Sequence, residues 1–234
     1  MNKEEFIKFC KLDLGIEITE KIYSKLKKYH EMLVEWNQKF NMTTILEEQE
    51  VLLKHFYDSL CLKKAIDLNT QSLCDVGTGA GFPGMVLKIV FSDLKITLVE
   101  SNGKKCTFLK EVIKELELND IEVINARAED YALKNIEKFD IVTMRAVSDL
   151  RIIAELGLPM LKIGGIFSPL KAHIGNEIEK SQNIIKILGG KLEKVINYEL
   201  PIEKSTRTIP IITKEKSSKD GFPRNYSRIV KQPI

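Results

Sequence analysis

Cysteine and histidine are scarce in this 234-residue chain. Cys10, Cys61, Cys74 and Cys106 form no CxxC pair, and His30, His55 and His173 are too dispersed to suggest a metal cluster. That argues against a disulfide scaffold and a zinc site, and reduced, structural thiols are expected. No apolar run approaches the length of a membrane span. The opening Met-Asn-Lys-Glu-Glu has acids where a signal peptide would carry a basic and then an apolar stretch, so a cytoplasmic protein is expected. Internal repeats and low-complexity tracts are missing too. What remains is ordinary globular composition, 44% apolar and 29% charged, and a length suited to one sizeable α/β domain with an extension.

The chemistry concentrates between residues 73 and 84, Leu-Cys-Asp-Val-Gly-Thr-Gly-Ala-Gly-Phe-Pro-Gly. Leu73 to Val76 reads as a short buried strand, and the glycines after it let the backbone turn tightly and approach a ligand. Pro83 suits a first helical turn, which predicts a helix from Gly84 to Phe91. The next apolar run, Ile96 to Val99, closes on Glu100, placed to accept ribose hydroxyls. Strand, glycine loop, helix, strand and acid make half of a doubly wound unit. Gly79, Gly81 and Gly84 also satisfy the dinucleotide fingerprint. Asp75, two residues before Gly77, tilts the reading towards S-adenosylmethionine: a carboxylate there suits an ammonium group and repels a pyrophosphate. It could equally serve only to cap loop amides.

Ahead of this unit, Ile22, Leu26, Tyr29, Leu33, Trp36 and Phe40 trace one face of a long helix that Thr19 could cap. The roughly 65 residues before the first strand are few for an independent core, so they are expected to pack on the α/β unit as a cap. A polar and aromatic cluster, Trp36, Asn37, Phe40, Asn41 and Thr43, follows. His55 and Asp58 share a face of a helix expected from Glu47 to Leu62, as a catalytic pair or a structural one. Downstream, helices are expected at Lys104 to Leu118, Ile152 to Leu161 and Ile174 to Leu188. Strands are expected at Ile121 to Ile124, Phe139 to Met144 and Ile166 to Leu170, with Gly164 and Gly165 as a turn. Arg127, Ala128 and Glu129 then fall in a loop beside an adenine site, and Arg145 and Lys171 at the sheet's working edge. Two closing strands, Lys194 to Leu200 and Thr208 to Thr213, suit a seven-stranded methyltransferase sheet better than a dinucleotide domain.

Net charge is +3, unevenly placed: six of the 36 bases and two of the 33 acids lie from Lys214 onward, which puts +4 on the tail and −1 on the rest. With Phe222 and Tyr226 interleaved, the tail reads either as a nucleic-acid contact or as a solvated, partly extended terminus. The expected division is a helical cap over 1–65, a Rossmann-like core over 66–213 and a basic tail over 214–234.

Taken together, these residues resemble the bacterial guanine-N7 methyltransferases of small-subunit ribosomal RNA, the RsmG or GidB family. The resemblance runs through Trp36-Asn37, Phe40-Asn41, Thr43, His55, Asp58-Ser59-Leu60, Asp75 to Gly84, Glu100, Lys104-Lys105, Arg127 to Glu129, Arg145-Ala146, Leu170-Lys171 and Phe222-Pro223-Arg224 through Pro233. Departures are small: Thr78 where serine is common and Lys54 where arginine often precedes the histidine. The resemblance implies a class I, Rossmann-like α/β methyltransferase, a cytoplasmic monomer without metal, that transfers the methyl of S-adenosylmethionine to N7 of one guanine in 16S ribosomal RNA. It implies cofactor contacts at Gly77, Phe82, Ala128, Glu129 and Arg145, beside Asp75, Gly79 and Glu100 already chosen from the pattern. His55, Asp58, Arg145 and Lys171 are the candidates for the guanine-facing wall. A small-molecule methyltransferase, a nicotinamide-dependent oxidoreductase and an RNA-binding assembly factor are the competing classes.

Overall fold

The computed structural model describes residues 1–146 and 148–234. Seven strands form one sheet in the order β3-β2-β1-β4-β5-β7-β6: β1 (Ser72–Val76), β2 (Lys95–Glu100), β3 (Ile121–Asn125), β4 (Phe139–Thr143), β5 (Leu161–Phe167), β6 (Gly190–Glu199) and β7 (Thr206–Lys214). β1 pairs parallel with both β2 and β4, while β7 runs antiparallel to β5 and β6. The strand order reverses beside β1, and in such sheets ligands bind at the carboxyl ends of the strands around that reversal. β1 can sit there because Leu73, Cys74, Asp75 and Val76 are all buried, as a strand covered on both faces requires.

Helices Gly84–Val90 and Gly103–Glu115 follow β1 and β2. The N-terminal helices Lys3–Leu14 and Glu20–Asn37 share one continuous apolar cluster with these crossover helices and with Leu73, Ile96 and Leu98 of the sheet. Thr19 caps the second, accepting from the Ile22 amide. Its inner face is Tyr23, Leu26, Tyr29 and Leu33; Ile22 is only partly buried, and Phe40 lies beyond the helix end. The Tyr29 hydroxyl donates to the Ala80 carbonyl, which ties this helix to the glycine loop. Among the described residues no helix is long and apolar enough to cross a membrane.

Several expected elements move. An additional helix, Lys3–Leu14, starts the chain, its first turn closed by a capping box between Asn2 and Glu5. Residues 48–64 are helical, with a π-helical stretch at Val51–Tyr57. Gly164 and Gly165 lie inside β5 instead of forming a turn; a Cβ on Gly165 would stand 3.0 Å from the Asp140 carbonyl oxygen on neighbouring β4. Arg127 to Glu129 do not form a loop: Arg127 stands at the N-terminal boundary of the helix Ala128–Leu133, without a side-chain capping bond.

The tail is anchored at a few points and solvated elsewhere: Lys216, Lys219, Arg228 and Lys231 are exposed, while Lys214, Pro223 and Ile229 are buried. Lys214 ends β7 fully buried, its ammonium donating to the Leu158 and Leu188 carbonyls at 3.0 and 2.7 Å, and burial pushes its pKa down to about 8. Arg224 forks onto the buried Glu155 carboxylate, Nε at 2.8 Å and Nη2 at 2.6 Å. Ile229, on the last helix Tyr226–Lys231, is fully buried. Two of the six bases counted toward a nucleic-acid contact therefore hold the fold together.

Candidate active site

Two hollows open along the carboxyl edge of the sheet, on either side of the glycine loop. The smaller, about 150 Å³, is lined by Gly77, Glu100, Arg127, Ala128, Glu129 and Tyr226, among others. The larger, about 480 Å³, is lined by Lys54, His55, Asp58, Arg145, Lys171, His173 and Arg207, among others.

The loop above β1 is shaped by its two acids. Gly77, Gly79 and Gly81 all take positive φ, at 70°, 62° and 108°. Asp75 is completely buried beneath them; its Oδ2 accepts from the Thr78 hydroxyl at 2.6 Å and the Gly84 amide at 2.8 Å. Threonine at 78 thus keeps the hydroxyl this arrangement needs. Burial lifts the Asp75 carboxyl to about 6 against the pull of those two donors. Gly84 must be glycine, because a Cβ there would sit 2.4 Å from Leu98 Cδ2 and 2.9 Å from Asp75 Oδ2. Glu100 accepts from the Gly79 amide through Oε2 (2.9 Å) and from the Asn102 amide through Oε1 (2.8 Å). Each oxygen keeps a second lone pair.

These residues fit a positively charged nucleoside cofactor in three respects. Asp75 Oδ1 and Glu129 Oε2 are buried oxygens without a protein partner, a condition that calls for a ligand or water. A Cβ built on Gly79 meets nothing within 4 Å, so the loop faces open space. Gly77, Glu100, Ala128 and Glu129 share one cleft. Asp75 and Gly79 are not among its lining residues, and neither is Phe82. The Phe82 ring is buried, stacked on His55 at 4.3 Å and packed against Tyr29 and Phe56.

The larger hollow assembles the other candidates from distant parts of the chain. Asn37 Oδ1 accepts from the Met42 and Thr43 amides, folding the segment after the second helix so that Thr43 Oγ1 meets His55 Nε2 at 3.1 Å. Arg145, just past β4, donates to the Lys54 carbonyl at 2.8 Å, approaches Asp58 at 3.4 Å and reaches His55 Nδ1 at 3.2 Å. A guanidinium can only donate, so the Arg145 contact requires Nδ1 as acceptor and the proton on Nε2; the Lys54 carbonyl, 3.3 Å from Nδ1, competes for the opposite tautomer. Burial, reinforced by Arg145, lowers the His55 pKa to about 3. The Arg145 guanidinium also lies 5.1 Å from the Phe82 ring centroid. Asp58 holds two further groups, the Tyr198 hydroxyl at 3.0 Å and Arg207 Nε at 3.4 Å. Lys171 pairs with Glu177 at 2.8 Å and donates to the Ser148 carbonyl at 2.6 Å. The structure thus joins His55, Asp58, Arg145 and Lys171, and adds Arg207 and Tyr198 from the closing strands, which no spacing in the sequence connects to Asp58.

The chain is similar to known proteins over its whole length. Over 238 residues the chain is 42% identical to the ribosomal RNA small subunit methyltransferase G of Bacillus velezensis, covering 100% of this chain and 99% of that protein. It is 40% identical to the Listeria monocytogenes protein of the same name, with both chains fully covered. Solved structures at lower identity share the fold: TYW2 of M. jannaschii in complex with AdoMet (TM-score 0.56, 18% identity, 73% of this chain and 77% of that one) and NSun6 of Pyrococcus horikoshii with SFG (TM-score 0.59, 15% identity, 75% and 57%). The GidB family profile, described as rRNA small subunit methyltransferase G, matches residues 22–206, and the chain belongs to that family.

Proposed function

We propose that this protein transfers the methyl group of S-adenosylmethionine to N7 of one guanine in 16S ribosomal RNA, acting as a cytoplasmic monomer. The observation that carries the reading is the pair of hollows flanking one loop: an acid-lined cleft suited to a cationic nucleoside, and a base-lined pocket suited to a nucleotide. The division into a helical cap (1–65), a Rossmann-like core (66–213) and a tail (214–234) goes with it, supported by the apolar cluster that joins the cap to the core.

Asp75, Gly77, Gly79, Glu100, Ala128 and Glu129 would hold the cofactor: Glu100 accepts the ribose hydroxyls, and the free oxygens of Asp75 and Glu129 take polar hydrogens. Bound there, S-adenosylmethionine supplies an electrophilic methyl group on a sulfonium. Guanine N7 has an in-plane lone pair and no proton to lose, so no general base is needed and positioning can supply much of the rate. His55 suits such a site because it is neutral and has its Nδ1 lone pair occupied by Arg145; it orients Arg145 and takes no proton. Arg145 and Lys171 are the donors for guanine O6. Asp58, poised between Arg145 and Arg207, offsets the positive charge that methylation leaves on the purine. Phe82 acts through its ring, as the platform under His55 and Arg145.

The test is labelled methyl transfer to small-subunit RNA from a strain lacking the enzyme, with the product mapped by nucleotide. Label at N7 of a single guanine is expected; no label, or label on another atom, contradicts the reading.

A further inference from the structure

The C-terminal segment reads in the sequence as a nucleic-acid contact or a solvated terminus, yet one of its two aromatic residues, Tyr226, faces the cofactor cleft. Tyr226 lines the Glu100 cleft together with Gly77 of the glycine loop. Its ring stands 5.1 Å from the Arg127 guanidinium, and Arg127 lines the same cleft. Two anchors fix the ring there. Upstream, Arg224 forks onto Glu155, whose carboxylate is 1% exposed. Downstream, Ile229 is fully buried in the apolar cluster that includes Val76 and Val99.

We propose that Tyr226 is a wall of the cofactor cleft, offering its ring as a stacking face to the adenine of the bound nucleoside, so that the C-terminal strap sets cofactor affinity. This rests on reading the cleft as the S-adenosylmethionine site. A half-buried ring held at both ends loses little freedom when a purine stacks on it, and the neighbouring guanidinium adds a second flat face. The cleft of about 150 Å³ is small beside the roughly 300–1,000 Å³ of pockets that enclose whole ligands. A mere obstruction would therefore be relieved by trimming Tyr226, whereas a wall would be lost. The two ideas predict opposite signs.

The experiment is calorimetric titration of the full chain with S-adenosylhomocysteine, using wild type, Tyr226→Ala and Tyr226→Phe, with melting temperature and small-subunit RNA affinity measured alongside. The alanine variant should bind the nucleoside roughly 5- to 150-fold more weakly, the range for losing one base-aromatic stack. The phenylalanine variant should match wild type, and RNA affinity and melting should not move. Equal or tighter binding by Tyr226→Ala, or weakening matched by Tyr226→Phe, overturns the proposal. Absence of binding by folded wild type would instead remove the cofactor reading beneath it.

Discussion

The two hollows at the carboxyl edge of the sheet are built in opposite ways. On one side the Glu100 cleft is local: Gly77 follows β1, and Glu100, which accepts from the Gly79 amide, ends the adjacent β2. The Arg145 pocket is built at long range, since Asp58 alone is held by groups 87 and 140 residues away. A cofactor site can be specified by a short run of glycines and acids. A substrate pocket of this kind depends on the helical cap, the fourth strand and the closing strands meeting correctly, so damage to either region should read out differently.

Arg145→Ala should give the largest effect. It removes the donor shared by Lys54, His55 and Asp58, and methyl transfer at saturating cofactor should fall about 100- to 1,000-fold, the usual cost of deleting one preorganised donor. Cofactor affinity should hold, because Arg145 lies on the other hollow; an equal loss of affinity would merge the two sites and favour the direct cofactor contact that the family resemblance implies for Arg145. Gly81→Ala strikes the loop between them. Its Cβ would stand 2.6 Å from the Tyr29 hydroxyl and 2.9 Å from Leu109 Cδ2 at a φ of +108°, which should cost about 2–4 kcal/mol in urea unfolding from strain and overpacking together. Glu100→Gln should weaken cofactor binding by roughly 1.5–3 kcal/mol, the worth of hydrogen bonds to a charged acceptor, while RNA affinity stays level in a filter-binding assay.

The smallest expected effect concerns acid stability, because each region buries one group with a shifted pKa and the signs oppose. His55 falls from 6.5 to about 3, so across that window the unfolded chain binds more protons and stability drops as pH falls. Asp75 rises from 3.8 to about 6, so there the folded chain binds more protons and stability climbs as pH falls. Between pH 4 and 6 these two contributions nearly cancel. In His55→Gln the Asp75 contribution stands alone, and urea midpoints should rise relative to wild type on acidification through that interval. Parallel midpoint curves would show that His55 is not held neutral.

What the sequence made legible follows the same division. The strand, loop, helix and acid from Leu73 to Glu100 could be placed because each residue type has a local backbone or hydrogen-bonding reason. His55, Asp58, Arg145 and Lys171 could be nominated, the last two by strand-end position, but not connected. Arg207, expected in the turn between the closing strands and found in β7, and Tyr198 of β6 could not be tied to Asp58, because that link exists only once β6 and β7 lie against the helical cap. The tail was legible only in part for a related reason: a lysine or arginine count cannot tell the exposed Lys216, Lys219, Arg228 and Lys231 from Lys214 or Arg224, whose partners are the Leu158 and Leu188 carbonyls and the Glu155 carboxylate. The first helix was different, since Asn2, Glu5 and the four-residue spacing of Phe6, Cys10 and Leu14 were in view throughout.

The separation of duties is tested most directly by calorimetric titration of folded wild type, Glu100→Gln and Arg145→Ala with S-adenosylhomocysteine. Single-site binding by wild type, weakened roughly tenfold or more by Glu100→Gln and unchanged by Arg145→Ala, is the predicted result. Silence from wild type, or a loss in Arg145→Ala as deep as that in Glu100→Gln, would contradict it.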